Sequence, residues 1–186
     1  MLIEIVFLSF VSLIIIFFRK RNLTLNNFNN IEIKGYKILI IAAVVEISSV
    51  FLFRNYNDSL FFKVLSKSYL IYPAILYVTT ININKHYMKF FFLGTLFNFV
   101  AIAFNDFKMP VLISEAFANS EATKIYLETG KDLIHSIMTD ETKFKFLCDI
   151  ITIPPPYPFV KTISVGDIFL LSGIFIFWQE EVTKST

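Results

Sequence analysis

The sequence predicts an all-α integral membrane bundle of about five transmembrane helices, with short amphipathic helices in one long outer loop. Three observations predict it. Of the 186 residues, 55% are hydrophobic and only 17% charged, against about 25% charged in an ordinary soluble domain. The mean hydropathy is +0.64. The apolar residues gather into runs approaching the roughly 20 residues that a helix needs to cross a bilayer core of about 30 Å.

The first run is about residues 1–18. No basic residue precedes it and no small-x-small cleavage site follows it, so a span is expected rather than a cleavable signal peptide. It ends at Arg19, Lys20 and Arg21. The second run is about 38–53, with Glu46 near its middle. The third is about 66–83; Lys63 and Lys67 lie at its entry, and Pro73 is tolerable as a kink in a membrane helix. The fourth is about 88–104 and the fifth about 165–178, where Trp178 suits a membrane boundary. Residues 105–164 form the outer loop, and 1–186 is read as a single membrane domain.

The basic cluster at Arg19–Arg21, with Lys34 and Lys37, places the first loop in the cytoplasm. The N-terminus is then outside and the C-terminus inside, in a bacterial cytoplasmic membrane. The net charge of +2 is too small to point to nucleic acid. The bilayer is the expected partner, and an oligomer is allowed. Cys148 is the sole cysteine, so no disulfide can form within one chain. The 23 phenylalanines, with many Ile, Asn and Lys, match an AT-rich genome and a low-GC bacterium.

Within the loop, Ser114 to Glu128 reads as a helix stopped by Gly130. Asp132 to Met138 and Thr142 to Ile151 read as further helical turns, the latter capped by Asp140.

Two polar residues inside the apolar runs are site candidates. Glu46 is a carboxylate in mid-membrane, where such groups signal a function or a buried partner. Asn98 is the expected partner, in a structural contact or in an ion or substrate path. Asn105 and Lys108 follow the fourth run directly and form an interfacial binding candidate; helix termination, with Asn105 near the C-cap and Pro110 blocking continuation, explains the same residues.

The catalytic candidates are His135, Asp149 and Asp167. His and Asp together exchange protons or hold a metal. No tight ligand spacing such as H-E-x-x-H is present, and no metal or cofactor is expected. Asp149 stands near the end of the predicted 142–151 helix, where a negative charge is unfavourable, and Lys145 is its simplest partner. Ser164-Val165-Gly166-Asp167 fits the capping box S-x-x-[DE] at the start of the last helix.

Three segments carry a resemblance: Asn105 to Val111 (NDFKMPV), Thr142 to Ile150 (TKFKFLCDI) and Ser164 to Gly173 (SVGDIFLLSG). They resemble an uncharacterised family of small bacterial membrane proteins found mainly in Clostridia and relatives. Similar proteins show an Asn, often two glycines, a Met-Pro-Val, a Leu-x-Asp and a Ser-x-Gly-Asp. Asp106 and Phe107 stand here where glycines are frequent. The resemblance implies that Asn105, Met109, Pro110, Asp149, Ser164, Gly166 and Asp167 belong together; it implies no activity.

The expected function is a non-enzymatic structural or accessory membrane component, since no catalytic or nucleotide motif is present. Two alternatives stand beside it. One is a membrane enzyme acting on a lipid or peptide at the outer interface through the 105–167 residues. The other is a small transporter or channel using Glu46.

Overall fold

The computed structural model describes residues 2–19, 31–53, 71–113, 120–129, 132, 134–157 and 161–182. Several expectations fall outside these residues: the basic pair Lys20 and Arg21, the entry lysines Lys63 and Lys67, residues 66–70 of the third run, and residues 114–119 and Gly130 of the loop helix.

Six α-helices are described. Helices α1 (Leu2–Phe18), α2 (Tyr36–Phe53), α3 (Ile71–Ile81) and α4 (His86–Ala103) precede the loop. In the loop lie β1 (Met109–Val111), α5 (Ser120–Glu128), β2 (His135–Ile137), a 3-10 turn at Lys145–Leu147, β3 (Ile151–Ile153) and β4 (Lys161–Ile163). Helix α6 (Val165–Glu181) closes the fold.

This corrects the predicted fold class: the protein is not an all-α five-span bundle. Among the described residues only α4 is long and apolar enough to cross a membrane. At about 1.5 Å per residue, the 17 residues of α1 and of α6 and the 11 of α3 fall short of a bilayer core. Helix α2 carries Lys37 and Glu46 within it. Apolar composition marks burial as readily as membrane crossing.

The loop also departs from expectation. The segment 132–138 forms β2 rather than a helical turn, and 142–151 forms only the 3-10 turn before β3. No side chain caps that turn; it starts from Phe144 in the left-handed region, φ 51°. Asp140 caps nothing there and pairs with Lys145 at 3.7 Å, which is therefore not the partner of Asp149.

β1 runs parallel to β2, pairing Met109 with His135 and Val111 with Ile137. Its other side bridges to Asp149, whose N–H donates to the Pro110 carbonyl at 3.1 Å and whose carbonyl accepts from Leu112 N–H at 2.8 Å. β3 and β4 pair antiparallel, Ile151 opposite Ile163. The strand layer sits on the C-terminal end of α4, where Ala101, Ile102, Met109, Leu147 and Cys148 form the buried core.

Helices α4 and α6 form the axis. Gly94 and Gly166 allow their backbones to touch: a Cβ on Gly166 would lie 2.0 Å from Asn98 Oδ1, and one on Gly94 would lie 2.6 Å from the Gly166 carbonyl oxygen. Interfaces between helices favour such small residues because they permit this approach. At the opposite end, the buried Glu181 carboxylate of α6 accepts from Lys85 Nζ at 2.6 Å and from Tyr87 Oη at 2.8 Å.

Candidate functional site

The site is built at the junction of α4, α6 and the strand layer. Ser164 caps α6: its Oγ accepts from Asp167 N–H at 2.9 Å, and the Asp167 carboxylate accepts in return from Ser164 N–H at 3.4 Å. The capping box read from the sequence is thus present. It is also tied to α4. Asn98 Nδ2 donates to Asp167 Oδ1 at 3.0 Å, and Asn98 Oδ1 accepts from Ser164 Oγ at 2.8 Å. Asn98 therefore bonds to α6 and not to Glu46. Glu46 lies half-buried on α2.

Asp149 reaches the same place from the strand layer. Its backbone is held on both sides of the bridge to β1, and its residue is only 7% exposed. Its Oδ1 is buried without a hydrogen-bond partner. A buried polar atom left unpaired costs about 1–3 kcal/mol, more when charged. Burial raises its pKa to about 7, helped by the Asp167 charge and opposed by Lys161. Lys161 itself pairs with Glu4 of α1 at 2.8 Å.

His135 completes the wall, held from behind by Asp132. Asp132 Oδ1 accepts from the N–H groups of Ile134 and His135 at 2.7 and 2.8 Å. Its Oδ2 lies 3.2 Å from His135 Nδ1. These bonds outweigh partial burial and hold the Asp132 carboxyl below the ordinary carboxylate range.

A cavity of about 560 Å³ opens here, within the range of small-molecule sites. Asn98, His135, Asp149 and Asp167 line it together with Tyr72 and Met109. Farther along, Val78, Met88, Phe91 and Leu170 line it with apolar surface. From Asn98 to Met88 is ten residues of α4, so the lining extends along roughly 15 Å of helix.

The structure thus brings His135, Asp149, Asp167 and Asn98 together. It leaves Asn105 and Lys108 out of the lining. Asn105 clamps the loop, donating to the Ala101 and Lys143 carbonyls at 2.7 and 2.9 Å and accepting from Lys143 N–H at 2.9 Å. Lys108 Nζ donates to the Asp132 carbonyl at 2.6 Å. Sequence reasoning passed over Asp132, although an Asp two and three residues before N–H groups it can accept from is a recognisable turn signal. It also passed over Tyr72. Among the described residues no group of three or more His, Cys, Asp or Glu side chains is placed to hold a metal.

The molecule is a helical protein whose central helix pair is capped by two small sheets, with carboxyl groups facing a largely apolar cavity beneath them. Its residues 30–179 match a family of unknown function, DUF5317, and the chain belongs to that family. No curated protein matches the chain, and no solved structure does.

Proposed function

We propose that the chain is a non-enzymatic membrane protein that holds an amphiphilic small molecule, its polar head at Asp149 and its apolar part between α3 and the α4–α6 pair. The observation that carries the binding reading is the buried, unpartnered Asp149 Oδ1 inside a cavity that is otherwise mainly apolar. A fold retains such an atom at a cost, and a ligand that donates to it removes that cost.

Membrane residence is supported by α4 and by the apolar faces that α1 and α2 turn outward. Val6, Phe7, Phe10 and Phe17 of α1 are each more than 60% exposed, as are Ile41 and Ile47 of α2. Contiguous apolar surface of this kind marks contact with lipid or protein.

The test is purification in a mild nonionic detergent, followed by alkaline washing of membranes and solvent extraction of the pure protein. We expect the chain to stay with the membrane pellet and to carry about one extractable amphiphile per chain. Recovery as a soluble, ligand-free monomer in detergent-free buffer would overturn the reading.

A second reading rests on the Asp149 pKa of about 7, close to the value that suits a general acid or base. It predicts turnover of an amphiphile, abolished by Asp149→Asn. Binding without turnover in a screen of esters and amides would remove it.

A further inference from the structure

We infer that the polar head of the bound molecule is an ammonium group, so that the cavity takes an amine-headed amphiphile. This rests on the binding reading above and adds the chemistry of the head.

The inference follows from which hydrogen-bonding capacity the site has already used. Asn98 donates to Asp167, and Ser164 Oγ donates to Asn98. Lys161 donates to Glu4. His135 Nδ1 faces a carboxylate, which can only accept, so the ring proton sits on Nδ1 and Nε2 is the acceptor of the neutral ring. These donors are spent on the protein itself, and the donors left in the lining are the neutral hydroxyls of Tyr72 and Thr95. What lines the cavity is acceptor capacity: Asp149 Oδ1, the Asp167 carboxylate and the His135 ring.

An acceptor-rich site selects against some ligand classes. A carboxylate or phosphate head would meet two carboxyl groups of its own sign and only neutral hydroxyl donors. An alcohol brings a single donor. An ammonium brings three donors and no acceptor, together with the charge that two neighbouring carboxyls favour. A bare metal ion is disfavoured because the described residues provide no ligand cluster. Tyr72 and Met109 flank the acceptors, and the apolar lining from Val78 to Leu170 accommodates a chain.

The experiment uses three probes of one length: octylamine, octan-1-ol and octanoate. Each is titrated into the full chain in nonionic detergent at pH 8, with calorimetry and the unfolding midpoint as readouts, since a ligand that binds only the folded state raises that midpoint. We expect octylamine to bind one per chain, about tenfold or more tighter than octan-1-ol, with octanoate weakest. Asp149→Asn should bring the amine affinity down to that of the alcohol; circular dichroism confirms that the variant folds.

Octan-1-ol or octanoate binding as tightly as octylamine would overturn the ammonium head while leaving the cavity reading in place. So would an amine preference that survives in Asp149→Asn. Failure of all three probes to bind or to shift the midpoint would overturn both the head and the cavity reading.

Discussion

Asn98 on α4 and Asp167 on α6 are joined by a 3.0 Å side-chain hydrogen bond across the closest approach of the two helices. Because Asn98 also accepts from Ser164, its amide is part of the cap of α6 as well as of the helix contact. Asn98→Ala removes a partner from both Ser164 Oγ, which is fully buried, and Asp167. We expect a loss of about 2 kcal/mol, read from the unfolding midpoint in detergent.

Gly166→Ala tests the same contact by volume. The added methyl group would meet Asn98 Oδ1 and the Gly94 carbonyl oxygen at 2.0 and 2.7 Å, and the second of these is backbone that cannot swing away. A loss of about 3 kcal/mol is expected, at the upper end of ordinary overpacking.

The raised pKa of Asp149 makes stability depend on pH. The folded chain holds this proton up to about pH 7, whereas the ordinary value is 3.8. Between these values the folded state binds more protons than the unfolded state, so stability from this group is full below about pH 4 and is lost as pH rises through about 7. The facing groups are Asp167 of α6 and Lys161 of β4, with His135 of β2, backed by Asp132, and Tyr72 of α3 lining the same cavity. Asp149→Asn should flatten the profile and raise stability above pH 7, by up to about 4 kcal/mol for a shift of this size. A wild-type stability that rises from pH 4 to 7 no less steeply than that of the variant would contradict the assignment.

Cys148, the only cysteine, reports opening of the strand layer. It is fully buried, and burial with the neighbouring Asp149 charge raises its thiol to about 11. Maleimide labelling at pH 7.5 should be slower than for a free thiol by at least a hundredfold, since the thiolate is the reactive form. Labelling at the free-thiol rate would show that the layer does not close over the core.

Two residues after α4 take conformations that suit glycine. Asp106 and Phe107 both have φ of 55°. Asp106 is exposed, so Asp106→Gly should stabilise the chain by up to about 1 kcal/mol through relief of the left-handed conformation. Phe107→Gly should not, because its ring packs on the core and that contact is lost. Thermal unfolding of the two variants separates the outcomes.

What the sequence made legible was local. The capping box at Ser164 and Asp167 is a four-residue pattern, and the helices of the apolar runs follow from composition. The loop was misread because strands of three residues are too short to display alternation, so Asp132 to Met138 and Thr142 to Ile151 passed for helical turns. The convergence of the site depends on pairings between distant segments: Met109 with His135, Val111 with Asp149, and Ile151 with Ile163. Nothing in the residues before β1 announces which strand lies beside it. The span count failed for a different reason, since apolar composition by itself does not fix the length of the helix that forms.

The α4–α6 pair is fastened at both ends: Asn98 with Asp167 beside the Gly94–Gly166 contact at one, and Lys85 and Tyr87 with Glu181 at the other. Two rods joined at both ends cannot slide or splay without breaking buried polar bonds. The pair is the fixed jaw of the cavity, and any widening of the cavity falls to α3 and the strand layer on the opposing side.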